Sequence, residues 1–135
     1  MRQTFEDLAK VAIERYKDKN FCTVAALALS LDWSYGKAHR HMKSYGRRQR
    51  CGMRQTEWLP AITDAVNKEG KSIRELSDKA LNGMTIGRFA KVMSVGTYYV
   101  TVRGHALCIR NGVLHDWTAN TAARRRIRTV YKVEG

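Results

Sequence analysis

Apolar positions recur at helical spacing up to about Gly96 and at a period of two after it. Thr4 reads as the cap of a first helix, with Asp7 three residues on and Phe5, Leu8, Ala12, Ile13 and Tyr16 along one stripe. Asp18-Lys19-Asn20 breaks it. A second helix begins near Cys22 and carries Val24, Leu27, Ala28 and Leu31. It is apolar on nearly every side, which predicts a buried central helix. Ser34 caps a third, with Tyr35, Ala38, Met42 and Tyr45 on one face and Gly46 as its stop. Thr56 to about Glu69 predicts a fourth, with Pro60 early enough to be tolerated. A short helix is expected over Ser72–Lys79, and Thr85 caps another through Phe89 and Val92. Thr97–Arg103, His105–Arg110, Val113–Thr118 and Ile127–Val133 then read as strands. Asn111-Gly112 is a strong hairpin signal between the second and third of these.

Helices followed by strands predict an α+β fold, with N-terminal helices packed on a C-terminal antiparallel sheet of about four strands. The 135 residues contain no linker, repeat or low-complexity tract, so one domain is expected over 1–135. The longest apolar run, Val24–Leu29, is far shorter than a membrane span. The N-terminal ten residues lack the apolar core of a signal peptide, and a cytoplasmic protein with no membrane partner is expected.

Charge changes this picture. Lys and Arg number 25 against 12 Asp and Glu, a net charge of +13. Arg47, Arg48, Arg50 and Arg54 crowd one loop, and Arg124, Arg125, Arg126 and Arg128 precede and enter the last strand. Both runs are nearly free of acids. They predict an anion-binding surface for a polyanion, either nucleic acid or an acidic protein. Three Cys at Cys22, Cys51 and Cys108 argue against a disulfide framework. No C-x-x-C occurs, and His39, His41, His105 and His115 are not placed at metal-finger spacing, so neither a metal nor a cofactor is expected.

The hairpin carries the candidate chemistry. A two-residue turn at 111–112 pairs Arg110 with Val113. Counting back sets Leu107 opposite Asp116 and makes His105 and Asp116 diagonal neighbours on one face. Cys108, His115 and Trp117 point the other way. Asp116 is the only acid between Asp78 and Glu134. Its partner is either an arginine such as Arg103 or His105, which it would hold in the tautomer a general base requires. Cys22 alone reads as a small core residue. It also stands where a polar segment turns into the buried helix, and the positive end of a helix favours a thiolate. Cys at a helix start, His on one strand and Asp on the next make up a Cys–His–Asp nucleophile system. Cys51 lacks a clear base, and His39 and His41 are expected on a solvated helix face.

The segments N-F-C-T-V-A-A-L-A-L around Cys22 and G-T-Y-Y-V-T-V-R-G-H-A-L-C-I-R-N-G-V-L-H-D-W around His105 and Asp116 resemble the papain-like cysteine peptidase fold, in the style of its small bacterial and phage domains. The chain also resembles short phage-encoded proteins that share the G-R-R-x-R-x-G loop, here Gly46 to Gly52. The resemblance implies Cys22 as nucleophile, His105 as general base and acid, and Asp116 as the orienting acid. It implies a thiol hydrolase that cleaves an amide or thioester in a peptide or acyl substrate, acting in the host cytoplasm if phage-encoded. Papain-like enzymes place a Gln upstream of the Cys to hold the oxyanion. Tyr16 stands there in this chain, and Asn20 with the backbone N–H of Cys22 is the best substitute. The rival expectation is an inactive scaffold of the same fold that binds nucleic acid or an acidic protein through its arginines.

Overall fold

The computed structural model describes residues 4–18, 20–48, 53, 55–77, 79–81, 83–115 and 124–135. Among the described residues five α-helices form: α1 (Phe5–Glu14), α2 (Cys22–Leu31), α3 (Tyr35–Ser44), α4 (Gln55–Lys68) and α5 (Ile86–Val92). Their starts follow local chemistry. Thr4 and Asp7 form a reciprocal capping box on α1, with Asp7 N donating to Thr4 Oγ1 at 3.2 Å and Thr4 N to Asp7 Oδ2 at 3.1 Å. Ser34 Oγ accepts from Lys37 N and Thr85 Oγ1 from Arg88 N, capping α3 and α5. Pro60 lies inside α4 without ending it.

Five strands, β1 (Ser72–Glu75), β2 (Thr97–Val102), β3 (His105–Arg110), β4 (Val113–His115) and β5 (Thr129–Glu134), make one antiparallel sheet in the order β1-β5-β2-β3-β4. The fold is therefore α+β with a sheet one strand larger than expected. Ser72–Glu75 is not a helix. Ser72 and Glu75 have the spacing of a helix-capping box, but the segment pairs with β5 instead, from Ser72 with Glu134 to Glu75 with Tyr131. That pairing places Ile73 against the core, which an isolated short helix would not achieve. The hairpin is as counted: Arg110 pairs with Val113 and Cys108 with His115. The described part of β4 ends at His115, so Asp116 and Trp117 lie outside the described residues.

Both faces of the sheet are covered. Tyr99, Ala106, Cys108, Tyr131 and Val133 pack with α1 to α4 in one core. Tyr98, Val100, Val102, Leu107, Ile109 and Val130 turn the other way, onto Ile86 and Phe89 of α5. This explains why β2 and β3 are buried at nearly every position rather than at alternate ones. Helix α2 is the central element, with every residue from Thr23 to Leu31 buried. Its C-terminal end is met by Arg110, whose Nη1 donates to Leu29 O at 3.2 Å. A buried guanidinium there satisfies a terminal carbonyl and complements the negative end of the helix.

His39 is not on a solvated face. It is 7 % exposed and packs between the rings of Tyr16 and Tyr35. His41 is half-buried, with Nε2 2.6 Å from Ala61 O. Tyr98 and Tyr99 are core residues.

Candidate active site

Cys22 is the first residue of α2, and its N-cap, Phe21, makes no side-chain capping bond. The first-turn N–H groups of the helix therefore remain oriented toward whatever lies at its start. His105 is the first residue of β3, directly after Gly104, whose φ of 70° closes the tight turn from β2. Helix α2 packs along β3, and the two element starts meet at one cavity, where the His105 ring favours the thiolate of Cys22. Burial pushes the thiol up. The His105 ring, the backbone N–H groups of Ala106 and Thr23 and the charge on His105 outweigh that burial and hold Cys22 below the ordinary thiol value of 9.0. The sulfur is half-buried and free of any disulfide, so it is both polarised and reachable.

The pair opens on a cavity of about 370 Å³. Trp58 of α4 forms its apolar wall and packs on Tyr99 and Tyr131, with ring centroids 5.5 and 5.8 Å away. Gln55 from the start of α4, Thr23 beside the sulfur, and Thr101, Thr129 and Arg128 supply polar groups. Thr101 and Thr129 hydroxyls bond each other across β2 and β5. Thr23 Oγ1 is buried in a residue 4 % exposed and has no hydrogen-bond partner among the described residues. Tyr99 is wholly buried beneath the site. Burial, and then the nearby sulfurs of Cys22 and Cys108, push its phenol well above the ordinary value, so it stays protonated.

The other residues singled out from sequence are scattered. Asn20 is exposed and is not among the residues bordering the cavity. Its backbone is engaged instead, with N donating to Asp18 Oδ1 and O accepting from Arg47 Nη2. Arg47 is no part of an anion-binding surface: it is 3 % exposed and paired with Asp18. Arg125 Nη2 and Arg126 Nη1 donate to the carbonyls of Arg103 and Gly83, each at 2.5 Å, so these side chains fasten loops while remaining exposed. Arg48 and Arg124 are exposed. Arg128 borders the Cys22 cavity. Asp116, Arg50 and Arg54 lie outside the described residues. Cys108 is buried and accepts from Ser30 Oγ at 3.6 Å.

Gln55, Trp58 and Thr23 did not stand out in the sequence. Trp58 carries the only signal, a large aromatic on the apolar stripe of α4. Gln55 has none, because its relevance comes from α4 running beside the start of β5. Among the described residues no cluster of His, Cys, Asp and Glu could hold a metal ion, and no helix is long and apolar enough to cross a membrane. The chain matches no family model, no curated protein and no solved structure.

Proposed function

We propose that this chain is a papain-like thiol hydrolase that cleaves an amide or thioester through an acyl-enzyme on Cys22. The observation that carries the reading is that the sulfur at the start of α2 and the ring at the start of β3 border the same open cavity, where His105 lowers the thiol. The thiolate attacks the carbonyl carbon and forms the carbon–sulfur bond, and the carbonyl π electrons move onto oxygen. The backbone N–H of Cys22, at the positive end of α2, stabilises that oxyanion, with the Gln55 amide on the same cavity as the second donor. When the carbonyl re-forms, the amine or thiol leaves and takes its proton from the His105 imidazolium. Water then attacks the thioester with neutral His105 accepting its proton, and the acid departs as Cys22 regains the sulfur's electron pair. Asp116 keeps its proposed role of orienting His105. A cytoplasmic setting and a phage origin belong to the same reading.

The test is covalent labelling at neutral pH with a peptide vinyl sulfone, located by peptide mass spectrometry. Cys22 is expected to be modified in the folded protein, and His105→Ala to slow the modification about 100-fold or more. Labelling of Cys22 no faster than in the denatured chain overturns the proposal.

A second reading has its own observation. Arg48 and Arg124 are exposed, and no ion pair among the described residues engages them, on a chain of net charge +13. In that reading the fold is a scaffold that binds nucleic acid or an acidic protein through these arginines. Binding to a short duplex that falls steeply with salt, and that survives Cys22→Ala, supports it.

A further inference from the structure

The ionisable side chains bordering the Cys22 cavity among the described residues are Cys22, His105 and Arg128, and none is an acid. Arg128 is exposed, stands immediately before β5, and is held there by its backbone N–H, which donates to Thr101 O at 2.8 Å. No ion pair among the described residues engages its guanidinium. It also borders a neighbouring cavity that contains Glu75 and Lys79, so it sits on the ridge between the two. Thr23, the residue after Cys22, also borders the cavity, and its hydroxyl is buried.

We infer that Arg128 makes this cavity selective for acyl substrates bearing a carboxylate close to the carbonyl under attack. The inference rests on the thiol-hydrolase reading and adds the substrate class to it. A guanidinium offers a planar fork of donors that fits a carboxylate in two-point contact. At the edge of a partly enclosed site that contact fixes the register of the substrate, so that the carbonyl rather than a neighbouring bond lies over the sulfur. A cationic substrate meets only Arg128 and His105 and is disfavoured. Two sources present the same chemistry: an acidic side chain next to the cleaved bond, or the free carboxylate at a chain terminus.

The experiment compares two small alkylating reagents on Cys22 in a Cys51→Ser background. Iodoacetate carries the carboxylate and iodoacetamide does not. The wild-type rate ratio, iodoacetate over iodoacetamide, is expected to exceed that of Arg128→Gln by roughly threefold or more, the size of one unscreened contact across several ångströms of water. Arg128→Lys should restore most of the ratio. Arg124→Gln removes the same charge away from the cavity and should leave the ratio unchanged. The iodoacetamide rate reads the thiolate separately. If it is no faster than in the denatured chain, the hydrolase reading fails. If it is fast and Arg128→Gln changes the ratio no more than Arg124→Gln does, the hydrolase reading stands and this inference is overturned. Protection of Cys22 from iodoacetamide by short peptides then separates the sources. A Glu-containing, C-terminally amidated peptide protects if the side chain is recognised, and a neutral peptide with a free C-terminus protects if the terminus is. Protection by neither at millimolar concentration overturns the inference.

Discussion

Arg47 and Asp18 form a buried ion pair directly beneath the segment that leads into Cys22. Arg47 Nη2 lies 2.5 Å from Asp18 Oδ2, and the two side chains are 1 % and 0 % exposed. The carboxylate also accepts from Tyr35 OH at 3.3 Å and from Asn20 N at 3.0 Å, while Arg47 Nη2 reaches Asn20 O at 2.9 Å. The turn between α1 and α2 is thereby tied to α3 and to the loop after it. The pair fixes where α2 begins, and so where the sulfur sits.

Breaking one side of that pair leaves an uncompensated charge in the interior. Arg47→Met is expected to destabilise the fold by about 3–5 kcal/mol, and Asp18→Asn combined with it to recover much of the loss. Urea unfolding of the two single variants and the double variant measures this. Equal and additive losses would show that the pair is not coupled.

The pH dependence of Cys22 alkylation follows from the lowered thiol. Its half-maximal rate is expected below pH 9.0, the ordinary thiol value. His105→Ala removes the ring that, with the Ala106 and Thr23 backbone, offsets burial, so the midpoint should move upward, with slower reaction at pH 7. The sign for stability follows. The folded thiol loses its proton at lower pH than the unfolded one, so its stabilising contribution is complete above pH 9.0 and is lost as pH falls through the folded value. A midpoint that does not respond to His105→Ala would remove the basis for the pair.

Asp116 distinguishes an orienting acid from a charge balanced by a neighbouring arginine. Asp116→Asn should keep the fold and lose part of the Cys22 reactivity, since an amide oxygen still accepts from a ring N–H. Asp116→Ala should lose more. Identical alkylation profiles for wild type and both folded variants would leave Asp116 with no part in the site.

The hairpin that carries β3 and β4 depends on Gly112. Its φ is 78°, and a Cβ there would stand 3.0 Å from Ala90 O and 3.5 Å from Ser94 Cα. Gly112→Ala is expected to cost about 1 kcal/mol or more, because both backbone strain and a contact with fixed backbone oppose it. Thermal unfolding checks this, with Gly70→Ala as the comparison, where φ is also positive but nothing lies within 4 Å.

The local elements were legible because each is set by short-range chemistry. Thr4, Ser34 and Thr85 start helices through bonds to backbone N–H groups three residues away. Asn111-Gly112 sets the β3–β4 register by turn geometry alone, and the unbroken apolar run after Cys22 requires a helix covered on all sides. That Cys22 and His105 each stand at the start of an element was legible for the same reason, whereas packing of α2 on β3 brings the two starts to one cavity. What only the tertiary structure decided is where segments distant in sequence come to rest. Ser72–Glu75 suits a helix or a strand, and the open edge of β5 settles it. Arginines of one loop look alike until packing separates them: Arg47 goes inside because Asp18 waits there, while Arg48, its neighbour in the chain, stays exposed. Trp58, Gln55 and Arg128 border the Cys22 cavity because α4 and the start of β5 lie beside α2 and β3. Burial and long-range pairing depend on the whole packed arrangement, and no local pattern encodes them.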